Sequence, residues 1–241
     1  MWLRQQPGFK TRQTKLIGSG SGHRIWRVTQ QCAEWIVRER ETVALGYVSD
    51  YHRERAIWKL AEQAGIAPHL MACLDQGRVW ISEFIAPSEQ RITAQELGRL
   101  HHQIGQLAPV PWALDLRQQL AHYQDLDMGR ALDALSGDAH PILDAIECLE
   151  DGPVALCHND LLPDNVLGLR GKRRVIDWEY AAMGSPYFDA AATLTVLPAD
   201  QARDYLMAAF PNGHDAALLA AGKTVYQAMH TAWLRAHGIS E

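Results

Sequence analysis

The stretch His158-Asn159-Asp160-Leu161-Leu162-Pro163-Asp164-Asn165, followed ten residues on by Val175-Ile176-Asp177-Trp178-Glu179, decides how this chain is read. An apolar run at 154–157 leads into a polar loop at 158–165. Two strands are predicted next, at 166–169 and 173–176, turning at Gly171-Lys172. Asp160 and Asn165 share the loop, and Asp177 ends the second strand of a tight hairpin. This arrangement predicts three oxygen-bearing side chains at one spot. Phosphoryl transfer needs such a set. Its transition state is loose and highly charged, and magnesium bridging the phosphates requires hard oxygen ligands. A separate carboxylate must orient the acceptor hydroxyl and take its proton. Asp160 is therefore read as the base, and Asn165 and Asp177 as magnesium ligands. The plainer alternative makes Asp164 and Asn165 turn residues and Asp177 a strand-end cap.

Working outward, the chain before this stretch reads as strands followed by helices. Residues 14–17, 23–29 and 34–38 carry β-branched and aromatic runs, with Gly18-Ser19-Gly20-Ser21-Gly22 after the first. A helix is predicted over 49–63, stopped by Gly65, and a hairpin over 70–74 and 78–84 around Asp75-Gln76-Gly77. Ala86-Pro87-Ser88 breaks the pattern. Thr93 with Glu96 is a capping-box signature, opening a helix whose apolar face runs through Leu107. Further helix is expected over 114–123, 141–149 and most of 187–237. The expected fold is α+β and bilobal. A small N-terminal antiparallel β lobe (1–85) is expected to precede a larger, mostly helical lobe (86–241). The hinge falls near 84–88.

HxDxxxxN followed by an apolar strand ending in Asp resembles the catalytic and metal loops of protein-kinase-like enzymes. With Asp177-Trp178-Glu179-Tyr180 and Phe188-Asp189, it is similar to the aminoglycoside phosphotransferase/choline kinase family, especially the bacterial choline/ethanolamine and thiamine kinase branches. The resemblance implies an ATP- and Mg2+-dependent kinase with the protein-kinase-like fold, the first lobe binding nucleotide and the second carrying catalysis and the acceptor. It implies that His158 braces the catalytic loop, and that the hairpin carrying Ser19, Gly20, Ser21 and Gly22 covers the phosphates with backbone N–H groups. The backbone C=O of Glu83 and N–H of Ile85 would face adenine, in a cleft near residue 85. The third strand carries Arg38 where a lysine is usual; Arg40 or a surface role are the alternatives. Glu54 would hold Arg38, with Glu41 as a second choice and a surface ion pair with Arg53 or Lys59 as the plain reading. Asp189 is read as a brace of the catalytic loop, with acceptor binding the other possibility.

Only eleven residues separate Asp177 from Asp189, too few for a long activation loop with a peptide shelf. A small acceptor is therefore expected. Trp178, Glu179, Tyr180, Tyr187 and Trp233 are candidates to hold a cationic alcohol, because aromatic faces attract quaternary ammonium groups. Trp178 and Tyr187 could equally be core, and Trp233, on an amphipathic helix with Tyr226 and Met229, reads first as core. Choline leads, then thiamine, then ethanolamine or an aminoglycoside. A catalytically weak nucleotide-binding module is the reading of a different class.

Composition narrows the classes further. The chain has 241 residues, 47% hydrophobic and 21% charged, with a formal net charge of −5. No basic stripe suggests nucleic acid. Four scattered cysteines form no metal-binding pair. No apolar run is long enough to span a bilayer and the N-terminus lacks an apolar signal region, so a cytoplasmic protein is expected. The sequence leaves the oligomeric state open.

Overall fold

The computed structural model describes residues 13–20, 23–30, 33–40, 50–126 and 139–236. The chain divides into two compact units, Met1–Glu89 with Leu167–Glu179, and Gln90–Val166 with Tyr180–Glu241.

The first unit is built on a five-stranded antiparallel sheet. Its strands are β1 (Gln13–Gly20), β2 (His23–Gln30), β3 (Ala33–Arg40), β4 (Leu70–Leu74) and β5 (Val79–Glu83), in the order β1-β2-β3-β5-β4. β1 runs three residues past the predicted strand, so Ser19 and Gly20 lie in the ladder, with Gly20 opposite His23. The register shifts between Leu16 and Gly18, leaving Ile17 as a bulge on the edge strand. Alternating residues bury one face. Val28, Val37 and Val79 form its centre, and Trp26, Trp35, Leu74 and Ile81 pack around them.

Helix α1 (Tyr51–Gln63) starts at Asp50, whose Oδ1 accepts from His52 N at 2.9 Å. It buries Arg53, Glu54, Ile57, Trp58 and Ala61, one helical face. Trp58 stacks on Trp80 of the sheet with ring centroids 5.8 Å apart and donates to Pro68 O at 2.8 Å. Gly65 follows at φ +73°, the left-handed stop expected of it. After β7 (Val166–Leu167), β8 (Arg174–Val175) ties the segment ahead of Asp177 to the loop after α1, through Val175 N donating to Ile66 O at 2.7 Å. Both strands are shorter than the predicted 166–169 and 173–176.

In the second unit, α2 (Ala94–Gly105) begins with the complete capping box. Thr93 Oγ1 accepts from Glu96 N, and Glu96 Oε2 accepts from Thr93 N. This helix stops at Gly105, two residues before the predicted Leu107. α3 (Leu116–Leu126) begins later than the predicted 114, because 112–114 is extended. Leu114 N donates to Met183 O, and Met183 N to Trp112 O, both at 2.8 Å. β6 (Ala155–Cys157) pairs antiparallel with β9 (Ala182–Gly184). Nothing in Ala-Met-Gly signals a strand; the ladder is imposed from outside that segment. The remaining helices are α4 (Ala139–Glu150), α5 (Pro186–Val196), α6 (Ala202–Ala209) and α7 (Ala216–Ala236). α5 is buried continuously from Tyr187 to Thr193 and forms the core of the unit. Two glycines set packing distances between helices of this unit. A Cβ at Gly98 of α2 would lie 2.3 Å from Tyr205 O, and one at Gly222 of α7 would lie 2.4 Å from Tyr187 O.

The β4–β5 turn supplies a test of the first unit. Asp75, Gln76 and Gly77 all have positive φ, and Gly77 O accepts from Trp80 Nε1 at 2.8 Å. A Cβ on Gly77 would fall 2.3 Å from Tyr51 Cβ. Gly77→Ala combines backbone strain with a clash and should destabilise the chain by at least about 1–3 kcal/mol. Equilibrium urea denaturation measures it; an unchanged midpoint would show that the turn relaxes freely.

Candidate active site

Within the second unit, the loop after β6 is held from below. Asp189, 1% exposed, lies on the first turn of α5. Its Oδ2 accepts from His158 N at 3.0 Å and its Oδ1 from Asn159 N at 2.7 Å. Two successive amides reach one carboxylate because Asn159 sits at φ +64°. Asn159 Nδ2 then donates to Tyr180 O at 2.9 Å. His158 is wholly buried.

Asp160 projects from this braced backbone. Asn165 Nδ2 donates to Asp160 O at 2.9 Å and to Asp160 Oδ2 at 2.8 Å. Both amide hydrogens are therefore used on one residue, which leaves Oδ1 as the acceptor face of Asn165. The 3-10 turn Pro163–Asn165 brings Asn165 back, with its N donating to Leu162 O at 3.0 Å. Asp164 is exposed on that turn.

Within the first unit, Arg38 binds two acids through separate nitrogens. Nη2 pairs with Glu54 Oε1, and Nη1 donates to Asp177 Oδ1 at 3.1 Å. Its guanidinium lies 5.2 Å from the Trp80 ring centroid. Burial opposes its charge, but Glu54, Asp177 and Glu179 outweigh that and raise its pKa. The Glu54 side chain is 1% exposed; such a buried carboxylate is tolerable only with a cation against it. Asp177 is 39% exposed and stands at φ +67°, a costly conformation for a non-glycine residue. Next to it, Arg53 Nη2 donates to Glu179 O at 2.7 Å, and Arg40 Nη2 lies 4.0 Å from Glu179 Oε2. Burial and the Asp177 charge push the Glu179 carboxyl up to about 7, against the pull of Arg38. Burial, with repulsion from Arg38 and Arg40, pushes His23 down to about 4.

The other expected positions divide. Ser19 and Gly20 lie on β1, while Ser21 and Gly22 fall outside the described residues. Glu83 ends β5, with its N donating to His69 O at 2.9 Å; Ile85 follows, half-buried. Trp178 is 0% exposed, and its indole donates to Val175 O at 3.0 Å. Tyr187 is buried, stacked on Phe210 at 4.8 Å, and its hydroxyl accepts from Asp215 N at 3.0 Å. Both side chains pack rather than present a face. Tyr180 and Trp233 are half-buried. On α7 the rings of Tyr226, His230 and Trp233 run nearly parallel, at 6.0 and 6.3 Å between neighbours. The hydroxyl of Tyr226 is raised in pKa by burial and then by the charge of Asp160. Sequence reasoning gave no place in the site to Arg53, Tyr226 or His230. An arginine on the buried face of α1, and aromatic rings at i, i+4 and i+7 on α7, are the signals that could have found them.

In the first unit Asp177 offers a partly exposed carboxylate, a hard donor of the kind magnesium takes, and Arg38 a cation already organised by Glu54; in the second unit Asn165 offers an amide oxygen.

A five-stranded antiparallel sheet at the N-terminus, followed by a mostly helical unit with this loop, is the kinase-like fold. Similarity to solved structures agrees. A choline/ethanolamine kinase family protein from Mesorhizobium loti superposes with TM-score 0.75 at 18% identity, over 96% of this chain and 82% of that one. The choline kinase LicA of Streptococcus pneumoniae gives TM-score 0.75 at 16% identity, over 95% and 86%. Residues 13–230 match the model of the phosphotransferase enzyme family, and the chain belongs to that family. Among curated proteins it is 24% identical over 139 residues to a LicA homolog of Mycoplasma capricolum, covering 56% of this chain. That match spans 57% of the relative's length.

Glu179 gives a pH test. Its folded-state pKa of about 7 exceeds the usual glutamate value of about 4.3. The folded chain therefore holds this proton more tightly, and the contribution to stability falls as pH rises between those values. In metal-free buffer, wild type should lose thermal stability relative to Glu179→Gln on going from about pH 5 to about pH 8. A difference in Tm that stays constant across that range would remove the assignment.

Proposed function

We propose that the chain transfers the γ-phosphoryl group of ATP to the hydroxyl of a small cationic alcohol, with choline the first candidate and thiamine the next. Ethanolamine and aminoglycosides follow. The observation that carries the reading is the Asp160–Asn165 pair. One amide grips both the backbone and the carboxylate of Asp160, fixing a single side chain on a braced loop. Membership of the phosphotransferase family supports the reaction class.

In this reading Asp160 accepts the acceptor hydroxyl's hydrogen bond and orients its oxygen. Positioning of this kind, with partial proton transfer, is worth roughly 10²–10⁴-fold. Asn165 Oδ1 and the Asp177 carboxylate would hold magnesium. The ion would neutralise charge developing on the phosphates. Arg38, held by Glu54, grips phosphate oxygens, and the Gly20 region of the β1–β2 hairpin, with Ser19, Ser21 and Gly22, supplies backbone donors. The backbone of Glu83 and Ile85 meets adenine. His158 and Asp189 keep the loop in shape.

For the acceptor, the enclosure of Trp178 and Tyr187 shifts weight to the α7 aromatics and Tyr180. Tyr226 feels the charge of Asp160 and heads a stack with His230 and Trp233. Flat aromatic faces beside a carboxylate favour a cationic acceptor. Glu179 would add acidic character.

The deciding experiment is ADP release from Mg-ATP with choline, thiamine, ethanolamine and an aminoglycoside offered separately. Turnover is expected with one acceptor. Asp160→Ala should lower kcat by roughly 10²–10⁴-fold with nucleotide affinity nearly intact. Asp177→Ala should weaken Mg-ATP binding as well. Clear ATP binding without turnover of any acceptor would favour the nucleotide-binding module, and an undiminished rate in Asp160→Ala would dismiss the base.

A further inference from the structure

Leu161, immediately after Asp160, is 0% exposed, so its carbonyl cannot turn to water. Thr193 Oγ1 donates to it at 2.9 Å. Helical threonines commonly bond back to a carbonyl three or four residues earlier in their own helix. Thr193 instead reaches out of α5 to the catalytic loop. Its hydroxyl has one proton, and that proton is committed to Leu161. Toward Tyr205, whose Oη lies 3.4 Å away, Thr193 must act as acceptor. Tyr205 thereby uses its own proton, so toward His101 Nδ1 at 2.9 Å it must accept. His101 Nδ1 then carries hydrogen, which also suits its distance of 3.9 Å from Asp189 Oδ2.

Every member of this chain is sealed from solvent. Thr193 and Tyr205 are 0% exposed and His101 is 4% exposed. Burial lowers the His101 pKa, keeping the imidazole neutral with one N–H. Burial and Asp189 raise that of Tyr205 well above its usual value, keeping it a donor. The close approach at Gly98, one turn before His101, lets α6 bring Tyr205 within reach of the imidazole.

We propose that Thr193, oriented by Tyr205 and His101, is a positioning residue for Asp160. Donors run one way, from His101 Nδ1–H to Tyr205 Oη–H to Thr193 Oγ1–H, and end on the Leu161 carbonyl. Asp189 and Thr193 stand one turn apart on α5. The first takes the amides ahead of Asp160, and the second holds the carbonyl behind it. The peptide flanking the base is thus pinned on both sides from one helix. The proposal rests on the phosphotransfer reading for its catalytic consequence and on the hydrogen bonds alone for its structural one.

The test uses the full chain with Thr193→Val, which keeps the shape and removes the hydroxyl, and Thr193→Ser, which restores it. Two readouts are taken: amide hydrogen exchange over residues 158–162, and ADP release with the best acceptor. The expected result for Thr193→Val is faster exchange confined to the loop, and kcat lower by on the order of tenfold. KM for ATP should stay within about twofold. Thr193→Ser should return both to wild-type values, and Tyr205→Phe should fall between. Wild-type loop exchange in Thr193→Val overturns the proposal. So does faster exchange spread equally over α2 and α5, or wild-type kcat despite a loosened loop. If wild type turns over no acceptor, the phosphotransfer reading fails separately, and loop exchange still decides whether the donor chain pins the peptide.

Discussion

The carboxylate of Asp189 is the constraint on which the loop at 158–165 depends. A charge at 1% exposure must be met by donors. Those donors are the backbone amides of His158 and Asn159, so the demand of one buried side chain becomes a shape of the main chain. Asn159 adopts positive φ to let both amides converge, and its side chain then engages Tyr180. The geometry of Asp160 follows from these bonds before any ligand is considered. Thr193, lower on the same helix, meets a similar demand from the Leu161 carbonyl.

The first unit solves a related problem with opposite charge. Arg38, its side chain 11% exposed, stays cationic because Glu54 is buried beside it and Asp177 lies at its other nitrogen. A guanidinium has separate donors in a planar fork and can serve two carboxylates at once, whereas an ammonium offers one compact head. That difference gives a physical reason for an arginine rather than a lysine at position 38 of β3. The adjacent Arg53 fixes the Glu179 carbonyl, so two consecutive residues of α1 secure both the cation and the turn carrying Asp177.

Much of this was legible in the sequence because it is encoded locally. The β-rich start, the capping box at Thr93, the stop at Gly65 and the loop at 158–165 each follow from a few neighbouring residues, and all are present. What escaped reading is set by distant partners. Ala182–Gly184 has no strand character of its own and becomes β9 through pairing with β6 and the extended 112–114 segment. The same pairing delays α3. Aromatic residues were ambiguous for a different reason. Trp178 and Tyr187 have the composition of a cation cage, but enclosure and hydrogen bonds to Val175 and Asp215 are tertiary facts. Arg53 was passed over because an arginine on a helix is ordinarily a surface residue.

The bulge at Ile17 has a consequence for the chain's behaviour in concentrated solution. Among the described residues β1 is an edge strand, and Leu16 and Ile17 are 45% and 47% exposed. Neighbouring aliphatic side chains on an open edge invite another molecule to add a strand. An incoming strand needs an uninterrupted row of main-chain partners, and the slip between Leu16 and Gly18 breaks that row beside these two side chains. Straightening this edge by deleting Ile17 would tidy the ladder and make the protein more prone to self-association.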